Sequence, residues 1–321
     1  MKAMCIGETG SFDWREVPEP VCHGEFDVKL RIRACALNRA DLLQRMGVYA
    51  PPEGWPFWPG LECAGEVVEG PAGGRFKVGD RVCALLGGGG YAEEVVVPEG
   101  MVMPMPKGFS FEEAAAVPEV YATAFLNFRL LADLQRGETA FVQAGACGLG
   151  IAAIQLTKHV FGARVVTSVG SDEKVAFVKS IGADAAVNRK KEGLEALLEA
   201  YPPDVALDPI GGRQMGPAFA RMNRFGRWIS LACLAGAETT VDLDQVWRKG
   251  LRLMGSTLRS RSSEEKASVL RQLEREVWPA FEDGVFRPVL HRVLPIAEVE
   301  EAHRILGANE NVGKVVLTIG R

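Results

Sequence analysis

The chain has 321 residues, of which 47% are hydrophobic and 24% charged, with a formal net charge of -4. This is enough apolar material for two domains, and no basic surface is evident for a polyanion, so the expected partner is a small molecule and not nucleic acid. No run of about 18 apolar residues occurs and the first residues lack the apolar stretch of a secretory signal; no membrane partner is expected, and a cytoplasmic location is.

In chain order, residues 27–37 (DVKLRIRACAL) alternate, with Val28, Leu30, Ile32 and Ala34 on one face and Lys29, Arg31 and Arg33 on the other. That period of two predicts a half-buried strand. The short runs CAGEVVEG, DRVCALL and AEEVVVP follow, separated by Gly and Pro clusters, and together they predict a small barrel-like β domain. Near residue 110 the pattern changes. Ser110 and Glu113 have capping-box spacing, and Pro118 interrupts that helix before a longer one, VYATAFLNFRLLADL. From Thr139 strands and helices alternate: TAFVQA, GLGIAAIQLTKHVF, ARVVTSV, DEKVAFVKSIG, AAVN, EGLEALLEA, VALDPI, then the strands GRWISLA and RLMGSTL. Such alternation predicts a parallel sheet with helices on both faces. Ser262 and Glu265 open another capped helix, and VLHRVLPI, a helix and KVVLTI close the chain; these last pieces are expected to rejoin the first domain.

The seven cysteines stand singly, with no C-x-x-C pair, which argues against both a disulfide framework and a four-cysteine metal lobe. The four histidines, His23, His159, His291 and His303, lack neighbours at metal-ligand spacing, so structural or surface roles are expected for them.

Gly145, Gly148 and Gly150 in FVQAGACGLGIAA lie between the first strand and the first helix of the alternating series. Their spacing is G-x-x-G-x-G and departs from the commoner G-x-G-x-x-G. The position nevertheless suits a pyrophosphate, because backbone N–H groups at a helix N-terminus receive it and absent Cβ atoms allow it close. The end of the second strand, SVGSDEK, selects the dinucleotide. Gly170 and Ser171 occupy the turn, Lys174 lies one helical turn on, and Arg189 follows the third strand; hydroxyl and cationic partners suit a 2′-phosphate, and NADPH is the expected cofactor. Asp172 is the residue that would favour NADH, although a helix N-cap fits it equally well.

The segments ALNRADLLQRMGVYAPP, PGLECAGEV, AGACGLGIAAIQLTK, GRWISL and ANENVGKVVL together resemble the zinc-free quinone oxidoreductase branch of the medium-chain dehydrogenase/reductase superfamily, almost from end to end. The resemblance implies an α/β fold with a GroES-like β domain, residues 1–119 and 258–321, around a doubly wound Rossmann domain, residues 120–257. It also implies a homodimer built through the Rossmann sheets, with NADPH held between the lobes. Asn38 would lie beside the nicotinamide and Tyr49 would reach the substrate. Thr123, Gly145, Cys147, Gly148, Leu149, Gly150, Gly170, Ser171, Lys174, Leu234, Leu258 and Asn311 fall at cofactor-contacting positions. The family's usual tyrosine after Asn188 is Arg189 here, which alters the grip on a 2′-phosphate.

Where a zinc enzyme of this layout reads Gly-His-Glu, this chain reads Gly60-Leu61-Glu62, so no metal is expected. Quinones accept hydride without a strongly basic alkoxide forming, so oriented donors can replace a Lewis acid. The expectation is therefore NADPH-dependent reduction of a quinone. An enal, enone or acrylyl thioester reductase is the alternative, and an NADPH-binding structural or regulatory protein a third. Simpler roles stay open: Asn38 as a helix cap, Tyr49 as a loop-packing ring, Cys147 as a small residue offering its N–H, and Glu62 as a structural hydrogen-bond acceptor.

Overall fold

The computed structural model describes residues 1–191 and 193–320. The chain divides into two compact units, Met1–Ala122 with Arg259–Arg321, and Thr123–Leu258. Arg321, the expected end of the first domain, and Glu192, the expected start of a helix, lie outside the described residues.

In the first unit the ten-residue strand Asp27–Ala36 organises a mainly antiparallel sheet. One side pairs with Glu62–Glu69; the other is shared, residues 27–31 pairing with Glu94–Pro98 and residues 34–36 with Lys314–Thr318. Arg81–Leu85 and Val102–Pro104 extend the sheet beyond Glu62–Glu69, and Leu290–Pro295 runs parallel to Lys314–Thr318 at the other end. Val28, Leu30, Ile32 and Ala34 are all buried, as their alternation predicts. On the opposite face Lys29 meets Glu94 at 3.1 Å and Arg33 meets Glu66 at 2.8 Å across the strands.

Both predicted capping boxes form. Ser110 Oγ accepts from Glu113 N at 3.2 Å while Glu113 Oε2 accepts from Ser110 N at 2.9 Å, and Ser262 and Glu265 exchange the same bonds at 3.1 and 3.0 Å. The second box starts Ser263–Glu282, whose Phe281 ring lies 5.1–5.6 Å from Phe109, Tyr121, Trp278 and Phe286. The N-terminal hairpin Lys2–Ile6 with Phe12–Glu16 has no counterpart in the sequence reading. His303 is a core residue, packed edge-on to Phe12 and 3.2 Å from Tyr91 Oη. Burial holds its imidazole neutral, with the pKa down at about 3.

Among the described residues the second unit carries six parallel strands in the spatial order Ala185–Asn188, Arg164–Val169, Thr139–Gln143, Val205–Asp208, Arg227–Ser230, Arg252–Gly255. Numbered along the chain this is 3-2-1-4-5-6, the doubly wound order whose reversal beside the first strand opens a ligand crevice at the strands' carboxyl ends. Thr139–Gln143 is buried throughout, whereas the edge strand Arg252–Gly255 leaves Leu253 53% exposed. Phe141, Phe219 and Trp228 fill the core, and Trp228 Nε1 donates to Asp208 Oδ2 at 3.2 Å. The helices Met215–Ala220 and Leu243–Lys249 are missing from the sequence reading; Gly216 and Pro217 disguise the first, and the second buries none of its residues and so shows no apolar stripe. Among the described residues no helix is long and apolar enough to cross a membrane.

Candidate functional site

In the second unit the glycine-rich turn is built by close packing. A Cβ on Gly145 would stand 2.1 Å from Thr167 Oγ1, and one on Gly150 2.5 Å from the carbonyl of Ala144, which itself adopts a φ of 58°. Thr167 is fixed because its hydroxyl donates to Val142 O at 2.7 Å. Cys147 caps the helix Gly148–Gln155, its Sγ accepting from Gly150 N at 3.3 Å, so the side chain shapes the turn besides offering a backbone N–H. Gly148 and Leu149 in the first turn remain partly exposed at its mouth.

The neighbouring strand end gathers cations. Ser171, not Asp172, is the N-cap of Asp172–Ser180, its Oγ accepting from Lys174 N at 3.3 Å. Asp172 is occupied instead by Asn188 Nδ2 at 2.7 Å and Lys191 Nζ at 2.5 Å. These bonds hold the Asp172 carboxylate below its ordinary pKa range. The Arg189 guanidinium lies over Gly170, 3.5 Å from where a Cβ would be. Burial, with Arg189 and Lys190 nearby, lowers the Lys174 pKa. Mutually repelling cations around a glycine turn suit an anion such as a 2′-phosphate. Thr123 O accepts from Asn127 Nδ2 at 2.7 Å at the start of this unit, Leu258 is buried at its end, and Leu234 stands 47% exposed after Arg227–Ser230. Asp208, which no motif in the sequence marks, closes the loop after the fourth strand, its Oδ1 accepting from Ile210 N and Gly211 N at 2.7 and 3.0 Å.

In the first unit Asn38 is clamped at both ends of its amide. Nδ2 donates to Glu62 Oε1 at 2.9 Å and Oδ1 accepts from Lys314 Nζ at 2.8 Å. Lys314 Nζ also reaches Glu62 Oε1 and Leu37 O, each at 2.6 Å, and Glu62 Oε2 accepts from Glu119 N at 2.8 Å. Glu62 is fully buried and Lys314 is 4% exposed, so neither charge is screened by water. Asn38 does begin the helix Arg39–Arg45, but Asp41 does the capping: Oδ2 accepts from Asn38 N at 2.7 Å and Oδ1 from Gly60 N at 2.9 Å. Burial pushes the Asp41 carboxyl up to about 6 against those two bonds. Gly60, at a φ of 106°, is obligatory, since a Cβ would meet the Gly90 backbone at 2.5 Å. Lys314 is missing from the sequence reading, and the signal available was a lysine flanked by Gly313 and an apolar strand.

Tyr49 is half-buried beside Arg259, whose guanidinium carbon is 4.9 Å from the ring centroid and whose Nη1 donates to Tyr49 O at 3.2 Å. Asn311 is buried, its Nδ2 donating to Gly313 O at 2.7 Å, where it shapes the turn before Lys314. Cys35, three residues before Asn38, and Cys63, three after Gly60, pair across adjacent strands, fully buried, and burial raises both thiols. Leu61 is buried too, and among the described residues no three His, Cys, Asp or Glu side chains are placed to hold a metal ion, so the residues present do not fit zinc.

A mainly antiparallel β unit and a 3-2-1-4-5-6 parallel sheet with a glycine turn after its first strand define a nicotinamide-binding dehydrogenase or reductase. Residues 24–107 match the alcohol dehydrogenase GroES-like domain family and residues 148–275 the zinc-binding dehydrogenase family. A quinone oxidoreductase-like protein 2 homolog from Nematostella vectensis is 30% identical over 92% of this chain and 82% of its own length. A highly reducing polyketide synthase from Cordyceps militaris is 30% identical over 97% of this chain and 12% of its length. The quinone oxidoreductase from Thermus thermophilus, solved also in complex with NADPH, is 31% identical and covers 99% of this chain and 100% of its own, with a TM-score of 0.84. The chain belongs to the medium-chain dehydrogenase/reductase family, as a quinone oxidoreductase-like oxidoreductase.

Proposed function

We propose that the protein is an NADPH-dependent, zinc-independent reductase of quinones. The observation that carries the cofactor is the cation group Lys174, Arg189 and Lys190 around Gly170, with Asp172 held by Asn188 and Lys191. Gly145, Gly148 and Gly150 would seat the pyrophosphate, with Cys147 holding the turn. Ser171, Lys174 and Arg189 would hold the 2′-phosphate; Thr123, Leu149, Gly170, Leu234, Leu258 and Asn311 would line the remainder. When bound, NADPH supplies a hydride, and one proton from water completes the hydroquinone.

Asn38 carries no acid–base role in this reading. Its amide is fixed from both sides by Lys314 and Glu62, so it is a rigid post against which reactants are oriented, and orientation is what a conjugated acceptor requires. Tyr49 would contact the acceptor. The likeness to a highly reducing polyketide synthase supports a second reading, reduction of an activated C=C bond by the same hydride geometry.

Stopped-flow oxidation of bound NADPH against matched quinones and enones separates the two. Quinones are expected to oxidise it faster than buffer does; oxidation by enones alone rejects the quinone reading. In Lys174→Ala the dissociation constant for NADPH is expected to rise about tenfold, the loss of one charge-assisted contact, with that for NADH unmoved. An unchanged NADPH preference rejects the cofactor assignment.

A further inference from the structure

Arg259 is the first residue of the chain's return to the first unit, and it is 4% exposed. Three of its N–H groups go to three separate places. Nε donates to Gly87 O at 2.9 Å, Nη1 to Tyr49 O at 3.2 Å and Nη2 to Gln44 Oε1 at 2.6 Å. The guanidinium carbon also lies over the Tyr49 ring, 4.9 Å from its centroid, a cation–π distance. None of these bonds is an ion pair, and a buried cation is an expensive anchor. What a guanidinium offers in exchange is a rigid planar fork that bonds in several directions while it stacks on a ring.

Those bonds converge on the stretch between the helix Arg39–Arg45 and the strand Glu62–Glu69, which has no helix or strand of its own. Met46, Val48 and Ala50 are exposed there, and Tyr49 is half-buried among them. Pro51 and Pro52, next along the chain, have no N–H to give. Gln44, which takes Arg259 Nη2, donates its own Nε2 to Phe57 O at 2.7 Å, so the far end of the stretch is tied to the same guanidinium. Trp55 is tied there too. Its ring lies on Gly87, where a Cβ would stand 2.7 Å from three ring atoms, and Gly87 O is the acceptor of Arg259 Nε. One side chain thus fixes a surface stretch at Tyr49, Trp55 and Phe57.

We propose that Arg259 is a positioning residue of the acceptor site: it holds the Tyr49 ring in one orientation, one face against the guanidinium, so that the ring is a fixed wall for the acceptor. The proposal rests on the reading in which Tyr49 contacts the acceptor, and it deepens that reading. A wall on a loose stretch would lose the orientation on which hydride transfer depends. Arg259 itself touches no reactant and moves no proton in this scheme; it acts through Tyr49.

Fluorine NMR on the full chain, with 3-fluorotyrosine in place of tyrosine, tests the holding with no acceptor present, so that it and the redox reading fail separately. The chain has four tyrosines, and the line lost in Tyr49→Phe is that of Tyr49. In Arg259→Met this line is expected to move toward its position in the unfolded chain, while the lines of Tyr121 and Tyr201, one in each unit, stay in place. Gln44→Met, which removes one of the three bonds and the tie to Phe57, is expected to move the line the same way by less, and it decides the matter where Arg259→Met does not fold. A Tyr49 line that stays in place in either folded variant overturns the proposal. Turnover then asks whether Arg259 acts through Tyr49. Arg259→Met is expected to lower kcat for a quinone about tenfold in the parent chain but less than about threefold in Tyr49→Ala, with the dissociation constant for NADPH within about twofold throughout. Equal losses in the two backgrounds, or an NADPH affinity about tenfold weaker, mean a structural arginine and overturn it. A parent chain that reduces neither quinone nor enone rejects the reductase reading and the acceptor wall with it, whatever the fluorine lines show.

Discussion

Glu119 shows how one carboxyl is governed by its neighbours. Part of the residue is exposed, but its Oε2 is buried, its backbone N–H serves Glu62, and its pKa stands at about 8 against an ordinary 4.5. Between those two values the folded protein holds a proton that the unfolded chain has released, so this group's contribution to stability falls as pH rises through the window. Glu119→Gln removes the titration and keeps the shape. Denaturant melts from pH 4 to 9 are expected to show the variant gaining on the parent from about pH 4.5 and the two profiles running parallel above about pH 8, with a final gap of about 2–4 kcal/mol. A constant gap at all pH values contradicts the assignment. The Lys314–Glu62–Asn38 clamp is held by direct bonds between its members. Removing one partner of a buried pair costs about 3–5 kcal/mol because the other charge stays behind, and nothing adjacent in sequence announces that these three residues meet.

At the scale of elements, the glycine turn after Thr139–Gln143 is specified as much by its neighbour strand as by its own residues. Gly145→Ala would drive a methyl into Thr167, whose hydroxyl is tied to Val142 O. The expected cost is about 1–3 kcal/mol by overpacking, with at least a tenfold loss of NADPH affinity by fluorescence titration. Thr167→Ala in the same chain is expected to recover most of both; a Gly145→Ala variant that binds NADPH normally contradicts the assignment of this turn. The spacing of Ser110 with Glu113 and of Ser262 with Glu265 announced the helix starts, because a capping box is closed within four residues. The tip at Gly170 was less legible. Cap preference fits Ser171 and Asp172 equally, and only the approach of Asn188 and Lys191 from the next strand and its loop assigns the cap to Ser171.

At the scale of the whole molecule, the far edge of the parallel sheet is apolar and exposed. Among the described residues Arg252–Gly255 has one strand neighbour, Leu253 is 53% exposed, and in the preceding helix Leu243 and Trp247 are 73% and 68% exposed. An apolar edge of this kind invites pairing with a second copy about a two-fold axis, which is the homodimer that the family resemblance implies. Light scattering is expected to give a dimer for the parent chain and a monomer for Leu253→Asp; a monomeric parent rejects it. What the sequence by itself determined was local: the alternation that makes strands, the capping boxes, the glycine turn, the cations at the second strand's tip and the leucine where a zinc ligand would stand. Each needs only neighbours within a few residues, so pattern suffices. What only the tertiary structure decided was which distant charges meet. Residues 38, 62 and 314, or 49 and 259, are far apart in sequence and are brought together only by the fold, and in a dry interior it is that meeting, not residue type, that supplies each buried polar group with its partner.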